Sequence, residues 1–160
     1  MLHAAGTTPK DISAKGLSFA IVGSRFNEEL TDCLVNCAKQ QFLDLGGLEK
    51  DLTIIRVPGA YEIPLAVQAL LHNKQVDAVV VVGVIIEGAT PHFDKLCCDV
   101  TDKISMLSLE FEVPIGFGVV MARNMQQAVE RASNDSSNKG KEAALASIEM
   151  AGLLSKLREA

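Results

Sequence analysis

The 160-residue chain has no tryptophan and a single tyrosine, and aromatic residues make up only 4% of it. Its formal net charge is −5, so it offers neither the basic stripe nor the interleaved aromatic and basic residues that a nucleic-acid surface requires. The longest apolar run, around Val79 to Ile86, is too short to cross a bilayer. No basic segment followed by an apolar one stands at the N-terminus, and the expectation is a cytoplasmic protein with no membrane partner. The four cysteines, Cys33, Cys37, Cys97 and Cys98, form no C-x-x-C, and with three scattered histidines they leave no zinc-ligand set. Cys33 and Cys37 fall four apart on a helical stripe and Cys97 and Cys98 lie within a helix, so all four are expected buried and reduced. Internal repeats and low-complexity stretches are missing as well.

What is present is organised around Val79 to Leu96, VVVVGVIIEGATPHFDKL. An apolar run without polar alternation suits a strand covered on both faces, as in a parallel sheet flanked by helices. Thr90 reads as the N-cap of the following helix and Pro91 as its first residue, because proline's missing N–H would be unpaired there anyway. Backbone N–H groups of Gly88, Ala89 and Thr90 would then face an anion at the carboxyl end of the central strand. His92, beside that loop, carries an imidazole able to move protons near neutral pH.

The rest of the chain repeats the alternation. Residues Met1 to Gly16 show no period and read as an arm, and residues 17–160 as one domain. Strands are expected at Leu17 to Val22, Leu52 to Val57, from Val79, and at Ile115 to Val120. Helices follow each of them: one through Leu30, Leu34 and Phe42 that ends at Gly46-Gly47, one through Ile63, Ala66 and Leu70, and one reaching Phe111. Met125 to Ala132 and Lys139 to Arg158 close the chain as two more helices, the last rich in alanine. The predicted architecture is a three-layer α/β/α sandwich with a four-stranded parallel sheet, wound right-handedly.

In such a sheet the loops after the strands share one edge, so Arg25-Phe26-Asn27, Gly59-Ala60-Tyr61-Glu62, Gly88 to His92 and the region after Phe117 should converge. Backbone at Ala89 and Thr90, with a cation such as Arg131 or Lys139, could hold a phosphate, and Phe26 or Phe117 could stack on a heterocycle. Each residue type also has a plainer use. Phe26 and Phe117 serve equally as core fillers, Glu62 as a carboxylate at a helix start, His92 as a first-turn residue facing water, and Arg131, Lys139 and Lys141 as solvated charges.

Five segments, SRFNEEL (Ser24 to Leu30), VPGAYEIPLA (Val57 to Ala66), GVIIEGATPHFDKL (Gly83 to Leu96), PIGFGVVM (Pro114 to Met121) and ERASNDSSNKGKEAA (Glu130 to Ala144), resemble in order the 6,7-dimethyl-8-ribityllumazine synthase family. The resemblance implies a flavodoxin-like winding and the penultimate step of riboflavin biosynthesis. That step condenses 5-amino-6-(D-ribitylamino)uracil with 3,4-dihydroxy-2-butanone 4-phosphate, losing phosphate and water, with no metal or organic cofactor. It further implies that Phe26 stacks on the pyrimidine, that Ala60, Tyr61 and Glu62 bind the ribitylaminouracil, and that the backbone of Val84, Ile85 and Ile86 reads its polar edge. Ala89 and Thr90 with Arg131 would hold the phosphate, His92 would donate the proton, and Phe117 and Lys139 would close the site from a neighbouring subunit.

The family pattern is not matched everywhere. Glu87 stands where a basic residue is common and Asp135 where lysine is frequent, Met121-Ala122 replaces a threonine pair, and Tyr61 replaces phenylalanine. Assembly is implied too: a homopentamer, a shell of about 60 subunits built from pentamers in some members, an N-terminal arm adding a strand to a neighbour's sheet, and an enclosed riboflavin synthase as partner. Two other readings fit the same fold, a lumazine-binding protein without catalysis and a cage subunit with a relic site. A flavodoxin-type electron carrier would need a Ser/Thr-rich phosphate loop after the first strand, which Ser24-Arg25-Phe26-Asn27 is not.

Overall fold

A computed structural model describes residues 9–160. Four strands, β1 (Phe19–Ser24), β2 (Leu52–Val57), β3 (Ala78–Ile86) and β4 (Ile115–Ala122), alternate with helices α1 (Glu28–Asp44), α2 (Ile63–Asn73) and α3 (His92–Phe111). Helices α4 (Met125–Ala132) and α5 (Lys139–Glu159) follow β4. All strand pairs are parallel and the order is β2-β1-β3-β4, so the expected three-layer sandwich and its flavodoxin-like order are both present.

Successive side chains of a strand point to opposite faces, and the apolar run of β3 supplies both. Val80 and Val82 join Phe19, Ile21, Leu34, Phe42 and Ile148 in a core under α1, α4 and α5, whereas Val79 and Val81 join Ala20, Val22, Ile63, Val67 and Ile104 under α2 and α3. Each buried Val, Leu, Ile or Phe contributes roughly 1.5–3 kcal/mol by leaving water. Phe19 and Phe42 add a stacked pair with centroids 4.6 Å apart. Helix α5 comes unusually close to its neighbours through glycine. A Cβ on Gly116 of β4 would stand 2.1 Å from the carbonyl oxygen of Ala143, and one on Gly140 would stand 2.2 Å from that of Leu34.

Several expected boundaries shift. Strand β1 begins at Phe19 because Leu17 is still in a turn, its N–H donating to Ala14 C=O at 3.1 Å, and it runs on to Ser24 because β2 pairs with it up to Val57. Strand β4 continues to Ala122, paired with Ile86, two residues past its expected end at Val120, and Phe117 is its third residue, opposite Val81. Helix α3 starts at His92 with Pro91 as its cap, and Thr90 is one residue too early to serve. The cysteines are free, as expected, but not buried: Cys33, Cys37 and Cys97 are half-buried and Cys98 is exposed. Residues 1–8 of the expected arm lie outside the described residues. The part that is described rests on its own chain, with Ala14 fully buried, its N–H donating to Leu45 C=O at 2.8 Å, and Ile12 against the core. Among the described residues no helix is long and apolar enough to cross a membrane.

Candidate active site

The loops after β1 and β2 are sewn together by their backbones. Arg25 N–H donates to Val57 C=O at 2.7 Å and Phe26 N–H to Pro58 C=O at 3.1 Å. Asn27 then turns through the left-handed region (φ 59°, ψ 55°), a conformation asparagine tolerates better than most residues, and its Nδ2 reaches Val84 C=O at 3.5 Å. The consequence is that Phe26 points outward, 71% exposed, which removes the core-filler reading. On the next loop, Glu62 Oε2 accepts from Gly59 N–H at 2.9 Å, so one carboxylate oxygen shapes the helix start while the other is left for a ligand.

Phe26, Ala60, Tyr61, Glu62, Val84, Ile85 and Ile86 line one cavity of about 250 Å³, with Gly59 and Leu96 completing the wall. All seven are residues the sequence predicts for the site, from three separate stretches of the chain, and the parallel topology brings them together. Arg56 ties β2 to the end of β1 and the start of α1. Its guanidinium pairs with Asp32 at 2.5 Å and donates to Ser24 C=O at 2.9 Å and Thr31 Oγ1 at 3.2 Å. Nothing in the spacing of Arg56 set it apart from other strand residues.

Ala89, Thr90 and His92 are exposed at the start of α3, on the same edge. Glu87 N–H donates to Ala122 C=O at 2.9 Å, which fastens the loop to the end of β4. The Glu87 carboxylate pairs with Arg123 at 2.7 Å, so it is not a free negative charge beside the loop from Gly88 to Pro91. Asp135 is likewise engaged. It accepts from Ser137 N–H at 2.8 Å and Ser137 Oγ at 2.6 Å in a local turn, and these bonds hold its carboxyl below the usual carboxylate range.

Arg131 and Lys139 are placed differently. Ala128 and Ala132 bury α4, and Ala143, Ala144 and Ile148 bury α5, in the core shared with α1, across the sheet from α2 and α3. Arg131, in the last turn of α4, and Lys139, opening α5 and paired with Glu142 at 2.6 Å, therefore belong to the opposite layer from the helix that His92 begins. Phe117 lies about 16 Å down the strand from Ala122 at the usual rise. Within one chain these three, like Ala89, Thr90 and His92, are not among the residues that line the 250 Å³ cavity.

The join between α4 and α5 depends on Asn138, which sequence reasoning passed over. Fully buried, it donates through Nδ2 to Ala132 C=O and Ser133 C=O, both at 3.0 Å, and accepts from Lys141 N–H at 3.1 Å. One side chain thus closes the end of one helix and caps the start of the next. Its spacing before a glycine-containing helix start was the available signal. Near it, burial and the neighbouring Cys33 push the Cys37 thiol up to about 11, and burial with Asp94 nearby raises that of Cys97. Among the described residues no three His, Cys, Asp or Glu side chains group as a metal site.

A larger cavity, about 590 Å³, runs along the free edge of β4 between α3 and α5, lined by Leu109, Val113, Ile115, Phe117, Met150 and Leu157 among others. Leu109 and Leu157 are 79% and 62% exposed there, an apolar stretch with no cover in one chain.

Comparison with known proteins adds an independent line. The family model described as 6,7-dimethyl-8-ribityllumazine synthase matches residues 16–155. The chain is 49% identical to the 6,7-dimethyl-8-ribityllumazine synthase of Aquifex aeolicus (strain VF5) over 147 residues, 92% of this chain and 96% of that one. It is 46% identical to that of Campylobacter concisus (strain 13826) over 140 residues, 88% of this chain and 90% of the relative. With the Desulfosudis oleivorans protein of the same name the identity is 43% over 143 residues, 89% and 91% of the two chains.

Proposed function

The chain belongs to the 6,7-dimethyl-8-ribityllumazine synthase family, enzymes of the penultimate step of riboflavin biosynthesis, and from that premise we propose how its residues divide the reaction. The ribitylaminouracil occupies the 250 Å³ cavity, stacked on Phe26, with Tyr61, Glu62 and the β3 end from Val84 to Ile86 around it. Phe26's exposure within that cavity is the observation that supports this most directly, since an outward aromatic ring beside polar backbone suits a flat heterocycle.

The butanone phosphate lies alongside, its phosphate at the N–H groups of Ala89 and Thr90. The amine of the uracil attacks the ketone to give a carbinolamine and then an imine, and His92 protonates the departing hydroxyl. Phosphate then leaves by elimination, a proton departing from the neighbouring carbon as the C–O bond breaks and the growing charge being met by backbone dipoles and a guanidinium. The enol formed becomes a ketone, and the ribitylamino nitrogen attacks it to close the ring with loss of a second water. Much of the rate comes from holding both substrates together. These steps call on no metal or organic cofactor.

Arg131, Lys139 and Phe117 complete the site from a second copy of the chain. Their placement in the opposite layer and at the β4 edge supports this division, as does the uncovered apolar groove beside Phe117. The assembly is a homopentamer, with pentamers able to close into a shell of about 60 subunits by repeating one interface. Riboflavin synthase is the partner such a shell would enclose, and the cytoplasm is its location. Residues 17–160 form the folding unit, and residues 9–16 pack against it through Ile12 and Ala14.

Mixing the purified protein with both substrates should produce the lumazine chromophore, and sedimentation should give a multiple of five chains. A protein that binds ribitylaminouracil but forms no chromophore would be a lumazine-binding module instead.

A further inference from the structure

Arg123 is the first residue after β4, and its side chain crosses to the loop and helix that follow β3. Its Nη1 lies 2.7 Å from Glu87 and its Nη2 3.7 Å from Asp94, while the guanidinium lies over the Phe93 ring at 5.1 Å from the centroid. We propose that Arg123 is a positioning residue for the phosphate side of the site, clamping the Glu87–Pro91 loop in the shape that presents its N–H groups to the phosphate. The proposal rests on the reading of that loop given above.

An exposed ion pair alone contributes little. Here one planar fork meets two carboxylates and an aromatic face, and both its ends are anchored. Arg123 N–H donates to Gln127 Oε1 at 2.9 Å, and Asn124 caps the same helix start through Gln127 N–H at 2.9 Å. On the other side, Glu87 N–H is bonded to Ala122 C=O. Between those anchors Gly88, Ala89, Thr90 and Pro91 are all exposed, and among the described residues the N–H groups of Gly88, Ala89 and Thr90 make no hydrogen bond. The loop's shape therefore depends on what holds its two ends.

Charge and positioning make opposite predictions for Glu87. If only charge counted, Glu87→Ala would remove a negative group from beside an anion site and tighten phosphate binding. If Glu87 is the anchor of the clamp, Glu87→Ala weakens it. The test is calorimetric titration of the assembled full-length protein with inorganic phosphate, alongside steady-state kinetics with both substrates and hydrogen exchange over residues 88–91. Arg123→Ala and Glu87→Ala are each expected to raise the phosphate Kd and the KM for the butanone phosphate by about three- to fivefold. The KM for ribitylaminouracil should stay within about twofold and exchange in the loop should quicken. Unchanged or tighter phosphate binding in Glu87→Ala, in a protein that forms the chromophore, overturns the clamp and leaves the functional reading intact. A wild-type protein that forms no chromophore, yet whose variants lose phosphate affinity as described, overturns the functional reading and leaves the clamp standing.

Discussion

Phe26, Glu62 and Ile85 come from three distant stretches and meet in one cavity, whereas Arg131 and Lys139, picked out for the same site, lie across the sheet from it. The difference follows from how each residue is carried. The first set sits at the carboxyl ends of adjacent parallel strands, so pairing alone delivers it to one edge. The second sits on helices, and a helix goes wherever its apolar stripe is buried. Ala128 and Ala132 of α4, and Ala144 and Ile148 of α5, draw both helices onto the face that α1 already occupies. A cavity made by strand order thus forms within one chain, and Arg131 and Lys139 do not line it.

The largest expected effect attacks the helical layer. Gly116→Ala would drive a Cβ into the Ala143 carbonyl oxygen, and chemical denaturation should show a loss of about 3 kcal/mol or more, because backbone cannot step aside as a side chain can. Wild-type stability in that variant would mean α5 is not seated as described.

Next in size is a complementation experiment on the division itself. His92→Ala should lower kcat about a hundredfold without abolishing turnover, and Arg131→Ala should raise the KM for the phosphate substrate about tenfold or more. Assemblies refolded from equal parts of the two variants should regain about a quarter of their sites intact if each site draws on two chains. No recovery at all would put both residues in one chain and undo the contrast drawn above.

Asn138→Ala removes both bonds to the end of α4 and the cap of α5, and should reduce stability by about 2 kcal/mol. Asn138→Asp keeps the accepting oxygen but sets a buried carboxylate oxygen against the Ala132 and Ser133 carbonyls, and should lose at least as much. The smallest effect concerns thiols. With its pKa pushed up to about 11, Cys37 stays protonated near pH 8, and alkylation followed by mass spectrometry should find exposed Cys98 modified first. Raising the pH towards 11 should narrow the gap, since thiolate is the reacting form; equal rates at pH 8 would contradict the burial assigned to Cys37.

Most of the cavity was legible beforehand because β3 announces itself. A run of valines needs covering on both faces, and the turn at Gly88 marks where it stops. The full extent of β4 was not legible, since Ile115 to Val120 reads as complete, and only pairing with the whole of β3 carries the strand to Ala122. The partner of Glu87 was equally hidden. Nothing local connects it with Arg123, 36 residues on, until the β3 and β4 ends lie side by side.

By itself, the order of residues determined the number of strands, their parallel pairing and the set of side chains at the strand ends, because periodicity and turn chemistry act over a few residues at a time. Tertiary structure alone decided which face each late helix covers, that Asn138 joins two of them, and that a guanidinium neutralises Glu87. Those outcomes depend on surfaces meeting across the sheet, and the energy of such a meeting is not written in any single segment.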